Sequence, residues 1–156
     1  MINVDNVLET LEWVEAHPRA FDMRCWFNGV TPAARDLYLG DVPVSNMIEG
    51  TCGAQACLAG IAAVQRAPEG TRYSDEYLLF LDGTSERILE WAARDFGMSA
   101  TVANLVFLYS QDHDTAIARM RYLAGHPGTE DGELLKSAVP DPYVELEISD
   151  TSDTSD

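Results

Sequence analysis

The sequence predicts an all-α fold of about five helices around a central helix rich in alanine, cysteine and glycine. Three observations carry that expectation. Apolar residues recur at helical spacing near the start, a charge-free alanine-rich stretch fills the middle, and helical segments bounded by capping residues occupy 84–124. The chain has 156 residues and is 46% hydrophobic, enough for one ordinary core and too short for two. Residues 1–139 are therefore expected to form a single helical domain, and residues 140–156 an acidic, disordered tail.

The first helix follows from Val4, Val7, Leu8, Leu11 and Val14, which share one face at three- and four-residue steps. Glu9, Glu12 and Glu15 take the other side, and Asn3 or Asp5 suits the start as a cap. His17-Pro18 ends it, because the residue before proline disfavours the helical region. Phe21-Asp22-Met23-Arg24-Cys25-Trp26-Phe27 reads as a short packed segment. Residues 28–50, punctuated by Gly29, Pro32, Gly40 and Pro43, read as irregular, with a short extended piece at 36–39.

A second helix is expected over residues 54–67, stopped by Pro68. It carries no charge from Gly50 to Gln65, which marks it as the buried centre of the fold. Gly60 inside it costs about 1 kcal/mol relative to alanine, a loss best offset by close approach of another backbone. Residues 69–83 form a connection in which Tyr77-Leu78-Leu79-Phe80-Leu81 is a strand or a helical turn; so short a run has no decisive period.

Thr84 or Ser85 then caps a helix to Phe96, with Ile88, Leu89, Ala92, Ala93 and Phe96 facing inward. Gly97 terminates it, and Ser99 caps an almost wholly apolar helix through Tyr109. Asp112 or Asp114 opens the next, whose inner stripe is Ala116, Ile117, Met120, Leu123 and Ala124. A short helical turn fits residues 133–137. No long-period repeat is evident.

The formal net charge is −16, from 26 acids against 10 bases. Residues from Pro140 onward hold six acids and no base, leaving −10 on the body. Such a charge repels nucleic acid and anionic membranes, so neither is expected as a direct partner; basic protein surfaces are. The charge-free stretches at 50–65 and 98–111 fall short of the roughly 20 residues a membrane helix needs. No basic, apolar signal segment opens the chain, and its three cysteines form no disulfide framework. A reducing cytoplasm is the expected setting.

The densest candidate for chemistry is Gly50-Thr51-Cys52-Gly53-Ala54-Gln55-Ala56-Cys57, at the expected start of the central helix. Backbone N–H groups there favour a thiolate, so Cys52 or Cys57 is a candidate nucleophile. His17 or His113 would be the base, with His126 a further imidazole and Asp22, Asp112 or Asp114 an orienting carboxylate. The plainer reading, ranked first, is that these cysteines are small buried packing residues. A zinc site would need Cys25 and His17 to converge on Cys52 and Cys57, too thin a ligand set; no metal or cofactor is expected. Residues 89–103 imitate a helix-turn-helix, yet the would-be recognition helix has no lysine or arginine for base edges and phosphates. It reads as a structural helical pair.

Three stretches together carry a family resemblance. They are Leu11-Glu12-Trp13-Val14-Glu15-Ala16-His17-Pro18 with Phe21-Asp22 and Trp26; Cys52-Gly53 with Cys57-Leu58-Ala59-Gly60-Ile61-Ala62; and Phe96-Gly97-Met98-Ser99 with Ala103 and Val106-Phe107. Across residues 8–124 the chain resembles small uncharacterised proteins of actinobacterial phages, with an HP…W segment, a CGxxxCxAGxA helix and an LGLSxxxAxxLF-like helical pair. The resemblance implies a phage accessory protein in a host cytoplasm and carries over no catalytic residue. The leading expectation is a non-enzymatic protein that binds a host or viral protein. A cysteine-dependent hydrolase or transferase comes next, and an acidic DNA mimic that inhibits a host nucleic-acid-binding enzyme third. Partner identity and oligomeric state are not written in the sequence.

Overall fold

The computed structural model describes residues 1–18, 21, 23, 27–28, 55–74, 76–108 and 112–141. Among them are six helices: α1 (Val4–Ala16), α2 (Leu58–Arg66), α3 (Ile88–Phe96), α4 (Ala100–Phe107), α5 (His113–Gly125) and α6 (Gly132–Ala138). Five short strands join them: β1 (Phe27–Asn28), β2 (Gln55–Ala56), β3 (Arg72–Ser74), β4 (Tyr77–Leu79) and β5 (Ser85–Arg87). The chain is mostly helical, and the all-α expectation is corrected by a three-stranded antiparallel sheet in the order β3-β4-β5. The irregular connection expected before residue 51, including its extended piece, lies outside the described residues except at Asn28. So does the acidic tail beyond Asp141.

Local chemistry accounts for the helix ends. Asn3 caps α1 by accepting from the Asn6 N–H, Ser99 caps α4 through Val102, and Asp112 caps α5 through Thr115. Asp131 does the same for α6, which is longer than the turn expected there. Gly97 closes α3 in the left-handed conformation, at φ 70° and ψ 30°. The second helix begins later than expected. Gln55–Ala56 pair with Phe27–Asn28 as a two-residue antiparallel ladder, and Cys57 stays extended at ψ 177° as the cap of α2.

The sheet replaces the expected start of the third helix. Glu76 adopts φ 72° to turn β3 into β4, and Gly83 adopts φ 87° between β4 and β5. The Thr84 N–H and hydroxyl both donate to the Asp82 carboxylate, so the proposed cap residue is spent on this turn. Those bonds hold the Asp82 carboxyl below its usual range. Ser85, the other cap candidate, is a strand residue paired with Leu79, and α3 starts three residues later. Its first N–H, from Ile88, is satisfied by the carbonyl of Glu76, so a strand does the work of a side-chain cap. With Phe80 N–H donating to the Thr84 carbonyl, this fixes the register: Ser85 and Arg87 turn their backbone groups to the outer edge of β5.

The core runs through every helix. Residues 58–63 of α2 are all buried, as its lack of charge implies. Its main helical neighbours are α1 and α3 only, so the expected centre is shared with those two, which reach on to α5 and α4. Helices α1 and α5 lie antiparallel. The Ile2 N–H donates to the carbonyl of Pro127 beyond the end of α5, while the Met23 N–H, beyond the end of α1, donates to His113 at the start of α5. Val7, Thr10, Leu11 and Val14 are buried on α1, and Thr115, Ala116, Arg119, Met120 and Leu123 on α5.

Candidate functional site

Of the two candidate nucleophiles, Cys52 lies outside the described residues, as does Cys25. Cys57 caps α2 through its backbone: its carbonyl accepts the Ile61 N–H at 2.9 Å and its side chain makes no capping bond. Only 2% of it is exposed. Because α2 starts at Leu58, Cys57 rather than Cys52 occupies the helix N-terminus. A thiol sealed to that degree is out of reach of a substrate unless the helix start opens.

The candidate bases differ in what their ring nitrogens do. His17 sits at the end of α1 with Nδ1 2.9 Å from the carbonyl oxygen of Trp13. A carbonyl only accepts, so Nδ1 carries the proton and Nε2 is the basic nitrogen. The ring stacks on Trp13, with centroids 4.3 Å apart and planes 24° apart. His113 is the reverse case. Its Nε2 accepts the Met23 N–H at 3.2 Å beside the Phe21 ring, so its basic nitrogen is already engaged. His126 repeats the His17 arrangement, with Nδ1 2.9 Å from the Tyr122 carbonyl and centroids 4.1 Å apart. The sequence signal is an aromatic residue four places before His-Pro, present twice: Trp13…His17-Pro18 and Tyr122…His126-Pro127. It marks a helix stop at which the imidazole bonds the carbonyl four residues earlier; at Trp13 that carbonyl also accepts the His17 N–H at 3.0 Å.

The carboxylates weighed as orienting partners are otherwise employed. Asp112 accepts from both the N–H and the hydroxyl of Thr115, at 3.0 and 2.8 Å, which lowers its pKa; the neighbouring His113 adds to this. Asp114 is exposed in the first turn of α5, and Asp22 lies outside the described residues. Among the described residues, no group of three or more His, Cys, Asp or Glu side chains is placed to hold a metal ion.

The largest polar cluster among the described residues escaped the sequence reading. The Arg66 Nε donates to both oxygens of Asp95 at 3.1 and 2.9 Å, Nη2 to the Thr10 hydroxyl at 2.9 Å, and Nη1 to Glu9 at 3.0 Å. Its guanidinium lies 5.3 Å above the Phe96 ring. Thr10 donates in turn to Gln65, and Asn6 donates to the backbone and carboxylate of Asp95. One cation thus ties α1, α2 and α3 together. Arg119 acts alike at the far side: 1% exposed, it donates to the carbonyls of Val139 and Leu105 at 3.1 and 3.2 Å. Burial lowers its pKa while the Asp141 carboxylate works in the opposite direction.

The segment that imitates a DNA reader is bonded to the start of α6. Ser99 and Thr101, at the start of α4, both donate to the Glu130 carbonyl, the Thr101 hydroxyl accepts the Gly132 N–H, and α6 packs on α4. The end of a recognition helix that would meet base edges is therefore tied to the segment that leads into α6, although Ala100 and Thr101 stay exposed. Of Glu9, Glu12, Glu15, Glu86, Glu90 and Asp95, the acids a DNA mimic would set along one face, four meet arginines: Glu9 and Asp95 on Arg66, Glu15 on Arg121, and Glu86 on Arg94. A cleft of about 200 Å³ at the end of α2, lined mainly by Ala63, Val64, Ala67, Pro68 and Gly70, holds no cluster of reactive groups. No helix of the described residues is long and apolar enough to cross a membrane. No family model, curated protein or solved structure matches the chain.

Proposed function

We propose that this is a non-enzymatic phage accessory protein that binds a basic surface of a host or viral protein in the host cytoplasm, through the solvent face of α1. The observation that supports this reading is the make-up of that face. Asp5, Leu8, Glu9, Glu12 and Glu15 are exposed on one side of the helix, with Leu8, expected on the apolar face, half uncovered at 50%, while Val7, Thr10, Leu11 and Val14 anchor the other. Arginine offsets Glu9 and Glu15 in part, leaving Asp5 and Glu12 beside an apolar contact point. An apolar centre in an acidic rim suits a basic partner with an apolar anchor. The test is capture from host lysate with the full chain and with Leu8→Arg and Glu12→Lys variants. A partner held at near-stoichiometric amounts by the parent and lost by both variants supports the proposal. Equal capture by all three, or none by the parent, overturns it.

The His17 geometry keeps a second reading in play. An imidazole whose Nδ1–H is fixed by a carbonyl has its Nε2 set up as a base, the arrangement a cysteine-dependent hydrolase or transferase using Cys52 needs. Iodoacetamide at neutral pH separates the two. Rapid, selective labelling of Cys52 that slows on His17→Ala favours catalysis; cysteines silent until unfolding favour packing. The DNA-mimic reading has less support, because Glu9, Glu15, Glu86 and Asp95 are paired with arginines.

A further inference from the structure

We draw no further inference here: the strongest candidate, the outer edge of β5 where Ser85 and Arg87 turn their backbone groups outward, is a bare strand edge, and nothing among the described residues shows what covers it.

Discussion

Replacing Gly97 by alanine is expected to destabilise the fold far more than the same change at Gly83. Both glycines have positive φ, 70° and 87°, so both substitutions force a side chain into the left-handed region, at roughly 1–2 kcal/mol. Their surroundings differ. Around Gly83 nothing lies within 4 Å of the new methyl, whereas at Gly97 it would fall 2.1 Å from the Met1 carbonyl oxygen and 2.9 Å from the Asn3 nitrogen. Those atoms are backbone and cannot rotate away. To make room the first residues must lift, straining the Asn3 N–H bond to Phe96 and the Ile2 N–H bond to Pro127, each 2.8 Å long. Each lost bond costs about 1 kcal/mol, and partial exposure of buried Ile2 adds about 1 kcal/mol. The expected loss is about 3–5 kcal/mol at Gly97 against 1–2 at Gly83, measured by urea unfolding of the two variants side by side. Gly97→Asn separates strain from collision. Asparagine tolerates the left-handed region but brings the same Cβ, so it should recover little. Equal losses at both glycines, or full recovery with asparagine, would refute the packing of the N-terminal residues against the end of α3.

Arg119→Met should cost about 2–4 kcal/mol in urea unfolding, because two part-buried carbonyls lose a charged donor; a loss under about 0.5 kcal/mol would show that the guanidinium does not bridge α4 to the end of α6. Asp112→Ala should remove about 1 kcal/mol through the lost cap of α5. The Asp112 pKa is lowered on folding, so its contribution is full above the unfolded value of about 3.9 and fades as pH falls below it. Asp112→Asn should therefore flatten the fall in stability between about pH 5 and 3, and an unchanged acid limb would contradict the Thr115 bonds. Long-range proton–nitrogen NMR of the neutral imidazoles should find the proton on Nδ1 in His17, His113 and His126; an Nε2–H form at any of them would overturn the hydrogen bond assigned there.

The elements legible in the sequence were those set by neighbours in the chain. Asn3, Ser99, Asp112 and Gly97 act on groups within a few residues, so capping chemistry located the ends of α1, α4 and α5 and the stop of α3. What escaped depends on distant pairing. Strands β3 to β5 have three residues each, too few to show an alternation, and the late start of α2 follows from a ladder with residues some 28 positions earlier. The polar bridges were hidden differently. Thr10 and Arg119 sit at helical spacing inside apolar stripes, between Val7 and Val14 and between Ala116 and Leu123, and their chemistry masked a burial that their positions implied. Of the candidate site, the buried state of Cys57 was readable from its alanine-rich setting. The ring-nitrogen roles of His17 and His113 were not, because they depend on which backbone groups meet the imidazoles.

The antiparallel match of α1 with α5 also shapes the electric field around them. At each end of the pair the positive pole of one helix lies beside the negative pole of the other, so the two macrodipoles largely cancel. The potential over the outer side of α1 is then governed by its own carboxylates, and reversing the charge at position 12 should change it without opposition from the backbone.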